Sequence, residues 1–392
     1  MKKSTLLRAG AIAVSLAFVT AACGSDSEGS VSEDTVVTED TAAVADGVTC
    51  DGVSIAFFGA LSGDAGNLGK NIRAGADLAV SEFNTANPGC QVGLVDFDSQ
   101  GDPAQAPALA QKAIDDAGIL GIVGPAFSGE SKAANPLFDA AGLAIITPSA
   151  TNADLNDNNW KVFHRALAGD DKQGPAIATY IQKTLAAAKV GVIDDASEYG
   201  KGLADIVKTT LGAAVVASDS IDPKAADFSA AVSKMKEAAP DAIFYGGYYA
   251  EAGKLAKQLR DAGVTATLVF GDGVKDNGFI EAAGPAADGS IITCTCADGA
   301  SNAEFAAAYT AKFPGETPQT YGAEAYDAAK AFLAAIAAGK TDRAGVLEFL
   351  GTYDAAGVTK QIKWDATGEV AGNAVYAYKV EAGAISVIGL IE

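Results

Sequence analysis

Short runs of apolar, β-branched residues recur along the chain, each followed by a longer stretch in which apolar residues return every three or four positions. The first pattern fits strands buried on both faces, the second amphipathic helices. Strands are expected at 53–59, 91–97, 120–124, 143–147, 189–194, 213–218, 241–246 and 267–270. Helices are expected between them at 69–84, 103–117, 129–140, 173–188, 226–238 and 250–262. Such alternation predicts βαβ units, hence an α/β fold of parallel sheets flanked by helices. Farther on come long Ala-rich helices (301–313, 320–338, 342–350) and paired strands around 360–364, 374–380 and 385–390, a tail that completes earlier domains. The 343 residues of 50–392 exceed the size of one hydrophobic core, so two lobes are expected.

The first residues follow another rule. Lys2, Lys3 and Arg8 precede an unbroken apolar or small run over 9–22, and Thr20-Ala21-Ala22 leads into Cys23-Gly24. This is the pattern of a secretory signal peptide, residues 1–22, ending in a lipobox-like site. The run is too short for a spanning helix, which needs about 20 residues. Cleavage before Cys23 and acylation of its thiol are expected, although Thr20 stands where a large aliphatic residue is usual. Over 24–47 there are seven acids, no base and no aromatic, a composition too poor in apolar surface to fold. Residues 23–48 are therefore expected to be a lipidated, disordered tether, spanning roughly 27 Å as a flexible coil, with the folded body starting near Cys50. The expected location is extracytoplasmic, on the outer face of the cell membrane, or periplasmic where an outer membrane exists.

Net charge is -21, and losing a signal with three bases and no acids takes it to -24. So acidic a surface repels nucleic acid and anionic headgroups. Four cysteines follow Cys23. Cys50 and Cys90 each precede a predicted strand; if those strands are parallel neighbours the thiols lie side by side, and an exported protein can form the disulfide. Cys294 and Cys296 point to one face of a strand and read as two free buried thiols. Neither they nor the lone His164 supply a metal-ligand set, and no cofactor is indicated.

In open α/β sheets ligands bind beyond the carboxyl ends of strands. Two such loops carry hydroxyls: Pro125-Ala126-Phe127-Ser128-Gly129 and Pro148-Ser149-Ala150-Thr151-Asn152. Both place hydroxyls and free N–H groups where a helix begins, which suits a carboxylate; ordinary N-capping by Ser128 and Thr151 is the plainer reading of either alone. Enzyme readings fare worse. Gly59, Gly63, Gly66 and Gly69 miss the dinucleotide spacing, and Gly69-Lys70-Asn71 and Gly200-Lys201-Gly202 lack the hydroxyl of a P-loop. His164 lies in a strand-like segment, 161–165, with no hydrolase motif around it, so no catalytic residue is expected.

Several segments in fixed order resemble the periplasmic leucine/isoleucine/valine-binding proteins that feed ABC transporters. They are the run over 53–63, Gly121-Ile122-Val123-Gly124 with Ser128, Thr147-Pro148-Ser149-Ala150-Thr151, Gln173-Gly174-Pro175, Tyr199-Gly200-Lys201-Gly202 and Tyr245-Gly246-Gly247-Tyr248. The resemblance implies a type I periplasmic binding protein fold, two Rossmann-like lobes joined by three crossovers. The lobes would be 49–168 with 291–374, and 169–290 with 375–392. It implies an amino acid in the cleft, most simply branched-chain, delivered to ABC permease subunits by a monomer whose only membrane contact is its lipid anchor. Ser128 and Thr151 would hold the carboxylate, while the Ser149 carbonyl and Thr151 hydroxyl, beside Ala150, would take the ammonium. Tyr199, Tyr248 and Asp272 would come from the second lobe, Asp272 pairing with the ammonium. Leu68 replaces an aromatic, Tyr321 falls where an aromatic lines the side-chain pocket, and Asp272 is one methylene shorter than the usual glutamate, so pocket size or polarity should differ. Short amides, urea-like solutes, aromatic acids or a sensor role are the alternatives within this fold; a nucleotide-binding enzyme is a remote one.

Overall fold

The predicted buried runs do pair as parallel strands in the computed structural model, which describes residues 43–392. The signal peptide, Cys23 and the tether up to residue 42 lie outside the described residues. One sheet has the order β2-β1-β3-β4-β5, from β1 (Ser54–Gly59), β2 (Gly93–Asp98), β3 (Ile119–Val123), β4 (Ala144–Thr147) and β5 (Phe163–Arg165). Its strands are all parallel, and β1, β3 and β4 are almost wholly apolar and buried, as strands covered on both faces require. Helices α1 (Gly66–Ala86), α2 (Ala106–Asp115) and α3 (Ser128–Ala141) alternate with these strands.

A second sheet has the order β14-β13-β10-β9-β8-β6-β7. Its parallel part comprises β6 (Val190–Asp194), β7 (Val215–Ser220), β8 (Ala242–Gly246), β9 (Thr267–Phe270) and β10 (Ile291–Cys294), interleaved with α4 (Asp170–Thr179), α5 (Glu198–Leu211), α6 (Ser229–Ala238), α7 (Tyr249–Asp261) and α8 (Asn277–Ala283). After β10 come α9 (Ala303–Lys312), α10 (Gly322–Ala337), α11 (Arg343–Leu350) and the small hairpin β11 (Asp354–Ala356) with β12 (Gln361–Lys363). The chain then returns through β13 (Tyr376–Glu381) and β14 (Ala384–Leu390), both antiparallel additions to the second sheet. Three crossovers thus join the sheets, after β5, after β10 and before β13.

Three expectations need correction. The switch of lobe placed before residue 291 comes after Cys294, because β10 pairs in parallel with β9 through Ile291↔Val269 and Ile292↔Phe270. Cys294 and Cys296 are joined as a disulfide rather than free. The strand stops at Cys294 and the chain bends, bringing the two Cα atoms to 5.1 Å, within bridging range. The last part of the expected tether is also docked: the Val44 and Ala45 N–H groups donate to Asn87 Oδ1 (3.2 Å) and to the Ala337 carbonyl (2.9 Å). Val44 and Val48 pack on the core. A carbonyl in the last turn of α10 has no partner within its own helix, and the incoming strand supplies one.

Cys50 and Cys90 are bonded, with Cα atoms 4.8 Å apart, as neighbouring parallel strands with Ser54 opposite Gly93 allow. Helix α1 covers this edge by packing against α10, and the contact depends on Gly75. A Cβ there would meet the Gly322 carbonyl oxygen at 1.9 Å, and that atom is backbone, so it cannot step aside. Gly75→Ala is expected to cost about 1–3 kcal/mol, read as a lower denaturant midpoint with an unchanged slope; a midpoint equal to wild type would show that α1 and α10 separate freely.

Candidate functional site

The two hydroxyl-bearing loops follow β3 and β4, which are hydrogen-bonded neighbours, so their turns meet. Thr147 Oγ1 donates to the Pro125 carbonyl (2.7 Å) and Ser149 Oγ to the Ala126 carbonyl (2.6 Å). Ser128 Oγ accepts from the Asn152 N–H (3.2 Å). Neither predicted cap acts as one. At α3 the Phe127 N–H donates to Glu130 Oε2, and the short helix Ala153–Asn158 is capped by the Asn152 side chain, which accepts from the Asp154 N–H. Thr151 Oγ1 is buried with no hydrogen-bond partner.

Glu130 is itself wholly buried; burial pushes its carboxyl up to about 8, against the pull of the bonds from Ser99 and Phe127. His164 lies in β5 with Nδ1 against the Ile145 and Val162 carbonyls (3.2 and 3.1 Å) and its ring edge-on to Trp364. Burial lowers it to about 4, so it sits neutral inside the first sheet, away from the loops described above.

From the other side, β9 ends at Phe270 and the turn Asp272–Val274 presents Asp272. Its carboxylate is buried and accepts from two phenols: Tyr199 on Oδ1 and Tyr321 on Oδ2, each at 2.6 Å. Tyr199 sits in the first turn of α5 and also accepts from the Gly273 N–H at 3.1 Å. Tyr321 precedes α10 with φ of 67°, a left-handed conformation that turns its ring inward. Burial raises the Asp272 carboxyl above its ordinary value of 3.8, while the bonds from Tyr199, Tyr321 and Gln173 pull it back. Tyr248, at the head of α7, packs edge-on against Phe127 (centroids 5.3 Å) and beside Tyr199 (5.2 Å).

Between these groups lies a nearly closed cleft of about 10 Å³, room for about one water. Leu68, Ser128, Ser149, Tyr199, Tyr248, Asp272 and Tyr321 line it. Ala150 and Thr151, also singled out from the sequence, are buried behind that lining, the Ala150 carbonyl accepting from Arg165 Nη1 at 3.3 Å. Sequence reasoning did not single out Ala126, Phe127 and Gly273, which complete the lining. Phe127 and Gly273 adjoin a chosen residue and Ala126 lies two before Ser128, so the loop positions themselves were the available signal. Tyr321, expected beside a ligand side chain, lines the cleft, and its hydroxyl bonds Asp272. Among the described residues no cluster of His, Cys, Asp and Glu could hold a metal ion, and no helix is long and apolar enough to cross a membrane.

Known proteins share this fold. A family model described as periplasmic binding protein matches residues 52–384. A Leu/Ile/Val-binding protein of Rhizobium johnstonii is 32% identical over 351 residues, which cover 85% of this chain and 93% of that one. The branched-chain amino acid transporter substrate-binding protein LivJ of Streptococcus pneumoniae, solved with isoleucine, is 31% identical with a TM-score of 0.79 over 86% of this chain and 99% of its own. The leucine-binding protein LivK of Thermotoga maritima, 28% identical, gives a TM-score of 0.81 over 87% of this chain and 99% of its own.

The Tyr321 hydroxyl matters most when Asp272 is ionised. Folded Asp272 holds its proton more tightly than the unfolded chain does, so the stability it contributes is full below the ordinary 3.8 and falls as pH rises through its raised range. Removing a donor to the carboxylate deepens that fall. Tyr321→Phe is expected to be nearly neutral at pH 4 and to cost about 1.5–3 kcal/mol at pH 8, measured by urea titration at both values; equal costs at the two would break the link to Asp272.

Proposed function

The chain belongs to the periplasmic binding protein family, and on that premise we propose that it is the extracytoplasmic substrate-binding component of an ABC transporter, capturing a branched-chain amino acid. The observation that carries this reading is the polarity of the cleft. One wall offers hydroxyls and the N-terminus of α3, which attract a carboxylate. The other offers Asp272, and a desolvated ammonium needs an anionic partner. A zwitterion satisfies both, and Leu68 with the rings of Tyr248 and Phe127 leaves an apolar side for an aliphatic side chain. The names of the relatives, which bind leucine, isoleucine and valine, support the same class.

Binding makes and breaks no covalent bond. Contacts from both lobes favour the closed arrangement, so the ligand shifts the population towards it. Asn67 Nδ2 donating to Asp276 Oδ1 (3.0 Å) and Lys132 pairing with Glu198 (2.8 Å) join the lobes across the mouth of the cleft. The closed surface is what a permease would meet, and acylation at Cys23 would keep the protein beside it.

Two measurements test the reading. Calorimetry on the chain from residue 24 onward should give saturable one-to-one binding of leucine, isoleucine or valine, and Asp272→Ala should weaken it by about 2–5 kcal/mol while far-UV dichroism stays unchanged. Binding of urea or benzoate but of no aliphatic amino acid would replace the ligand class. For the anchor, Cys23→Ser should release the protein from membranes into the soluble extracytoplasmic fraction; a variant that stays membrane-bound would rule out acylation as the tether.

A further inference from the structure

Arg165 closes β5 with its guanidinium buried, an arrangement that is costly unless the charge is paired and its donors are used. Nε pairs with Glu369 Oε1 at 2.8 Å, Nη1 donates to the Ala150 carbonyl at 3.3 Å, and the guanidinium carbon lies 5.3 Å from the centre of the Phe163 ring. The backbone of the same residue is held as firmly. Its N–H donates to the Gly368 carbonyl at 2.9 Å, and its carbonyl accepts from Trp364 Nε1 at 2.6 Å. Of these contacts only the one to Ala150 leads towards the cleft, through the turn that carries Ser149; the rest hold the guanidinium still.

The direction of that one bond has a consequence for the turn. The next carbonyl, that of Thr151, accepts from the Asp170 N–H at 2.8 Å. A Cβ on Gly169 would stand 3.1 Å from Arg165 Nη1 and 3.3 Å from the Thr151 carbonyl oxygen, so both carbonyls face one side of the turn. In a trans peptide the N–H points opposite to the carbonyl before it, so the two N–H groups that follow face the other side. The second of them does: the Asn152 N–H reaches Ser128 Oγ at 3.2 Å, and Ser128 lines the cleft. The first, the Thr151 N–H, has no acceptor among the described residues.

We propose that Arg165 is a positioning residue for the ligand: by holding the Ala150 carbonyl on the far side of the turn, it makes the peptide between Ala150 and Thr151 present its N–H to the ligand's carboxylate. The inference rests on the amino acid reading of the cleft and deepens it. Arg165 itself touches no ligand.

Without the guanidinium, no other donor among the described residues reaches the Ala150 carbonyl, and a buried carbonyl without a partner is costly. Rotating the peptide about its flanking bonds would relieve that cost by bringing the carbonyl forward, where its partial negative charge repels a carboxylate. Lysine is a poor substitute here. Its ammonium supplies a charge for Glu369 but lacks the rigid fork that meets Glu369 and Ala150 at once.

The test compares wild type with Arg165→Lys, in which a cation still faces Glu369. Leucine affinity measured by calorimetry should drop about ten- to hundredfold, as loss of a hydrogen bond to a charged group implies. In isotope-labelled protein, leucine should move the Thr151 amide proton downfield in wild type and leave it nearly unmoved in the variant. Affinity within about twofold of wild type would overturn the proposal. So would weakened binding with an undiminished Thr151 shift, because the arginine would then support only the fold. Should Arg165→Lys not fold, Glu369→Gln takes its place. There the guanidinium stays but loses its ionic partner, so affinity should fall about three- to tenfold with a reduced Thr151 shift; wild-type values of both would overturn the proposal. Benzoate separates this proposal from the amino acid reading. If wild type binds benzoate but no leucine, isoleucine or valine, that reading falls, yet Arg165→Lys should still weaken benzoate at least about tenfold. A wild type that binds neither carboxylate overturns both.

Discussion

A carboxylate buried with its two oxygens claimed by phenols from different parts of the fold governs how the cleft is built. Tyr199 belongs to α5, on the second sheet, whereas Tyr321 heads α10, which packs on α1 beside the first sheet. Burying an unpaired carboxylate costs several kcal/mol, and each phenol bond returns roughly 1.5–3 kcal/mol of that. Asp272 is therefore satisfied only when the two lobes are close. Separating them would strip it of the Tyr321 donor, so this acid favours the closed geometry.

The opposite wall is rigid for a different reason. Helix capping there is delegated to Glu130 and Asn152, which frees the hydroxyls of Thr147, Ser128 and Ser149 to tie the two turns together. Polar groups that would otherwise fluctuate are held in place before a ligand arrives. Fixing them in advance lowers the ordering cost of binding.

Much of this was legible in the sequence, for reasons that vary by residue. The parallel strands announced themselves because strands buried on both faces are uninterrupted apolar runs, and the loops after β3 and β4 followed from where such strands end. β10 was read as a strand through Cys294, but not its place in the second sheet, since its pairing with β9 is known only from the sheet order. The Cys294–Cys296 bond depends on a bend after a strand end, which residue types do not encode. Val44 and Val48 look like tether because their stretch is polar on average; their docking depends on which helix ends lie nearby. Asp170 and Asp171 stand side by side in the sequence, and only burial separates the two, one wholly hidden and the other exposed.

That hidden acid also lies where the hinge can feel it. Arg165, at the end of β5, meets the third crossover twice, through Glu369 at 2.8 Å and through its own carbonyl, which accepts from Trp364 Nε1 at 2.6 Å. Two residues before Asp170, the Ala168 carbonyl accepts from Thr295 Oγ1 of the second crossover at 3.0 Å, and Gln173 donates to the Thr293 carbonyl and hydroxyl at 3.2 and 3.1 Å. The three crossing strands are thus bonded to one another beside the acid rather than running independently. Rotation of one lobe must move them together, and Asp170, fixed to this knot by its N–H bond to Thr151, moves with it. Bending of the hinge therefore acts on these few residues at once, and they couple the two lobes into a single moving unit.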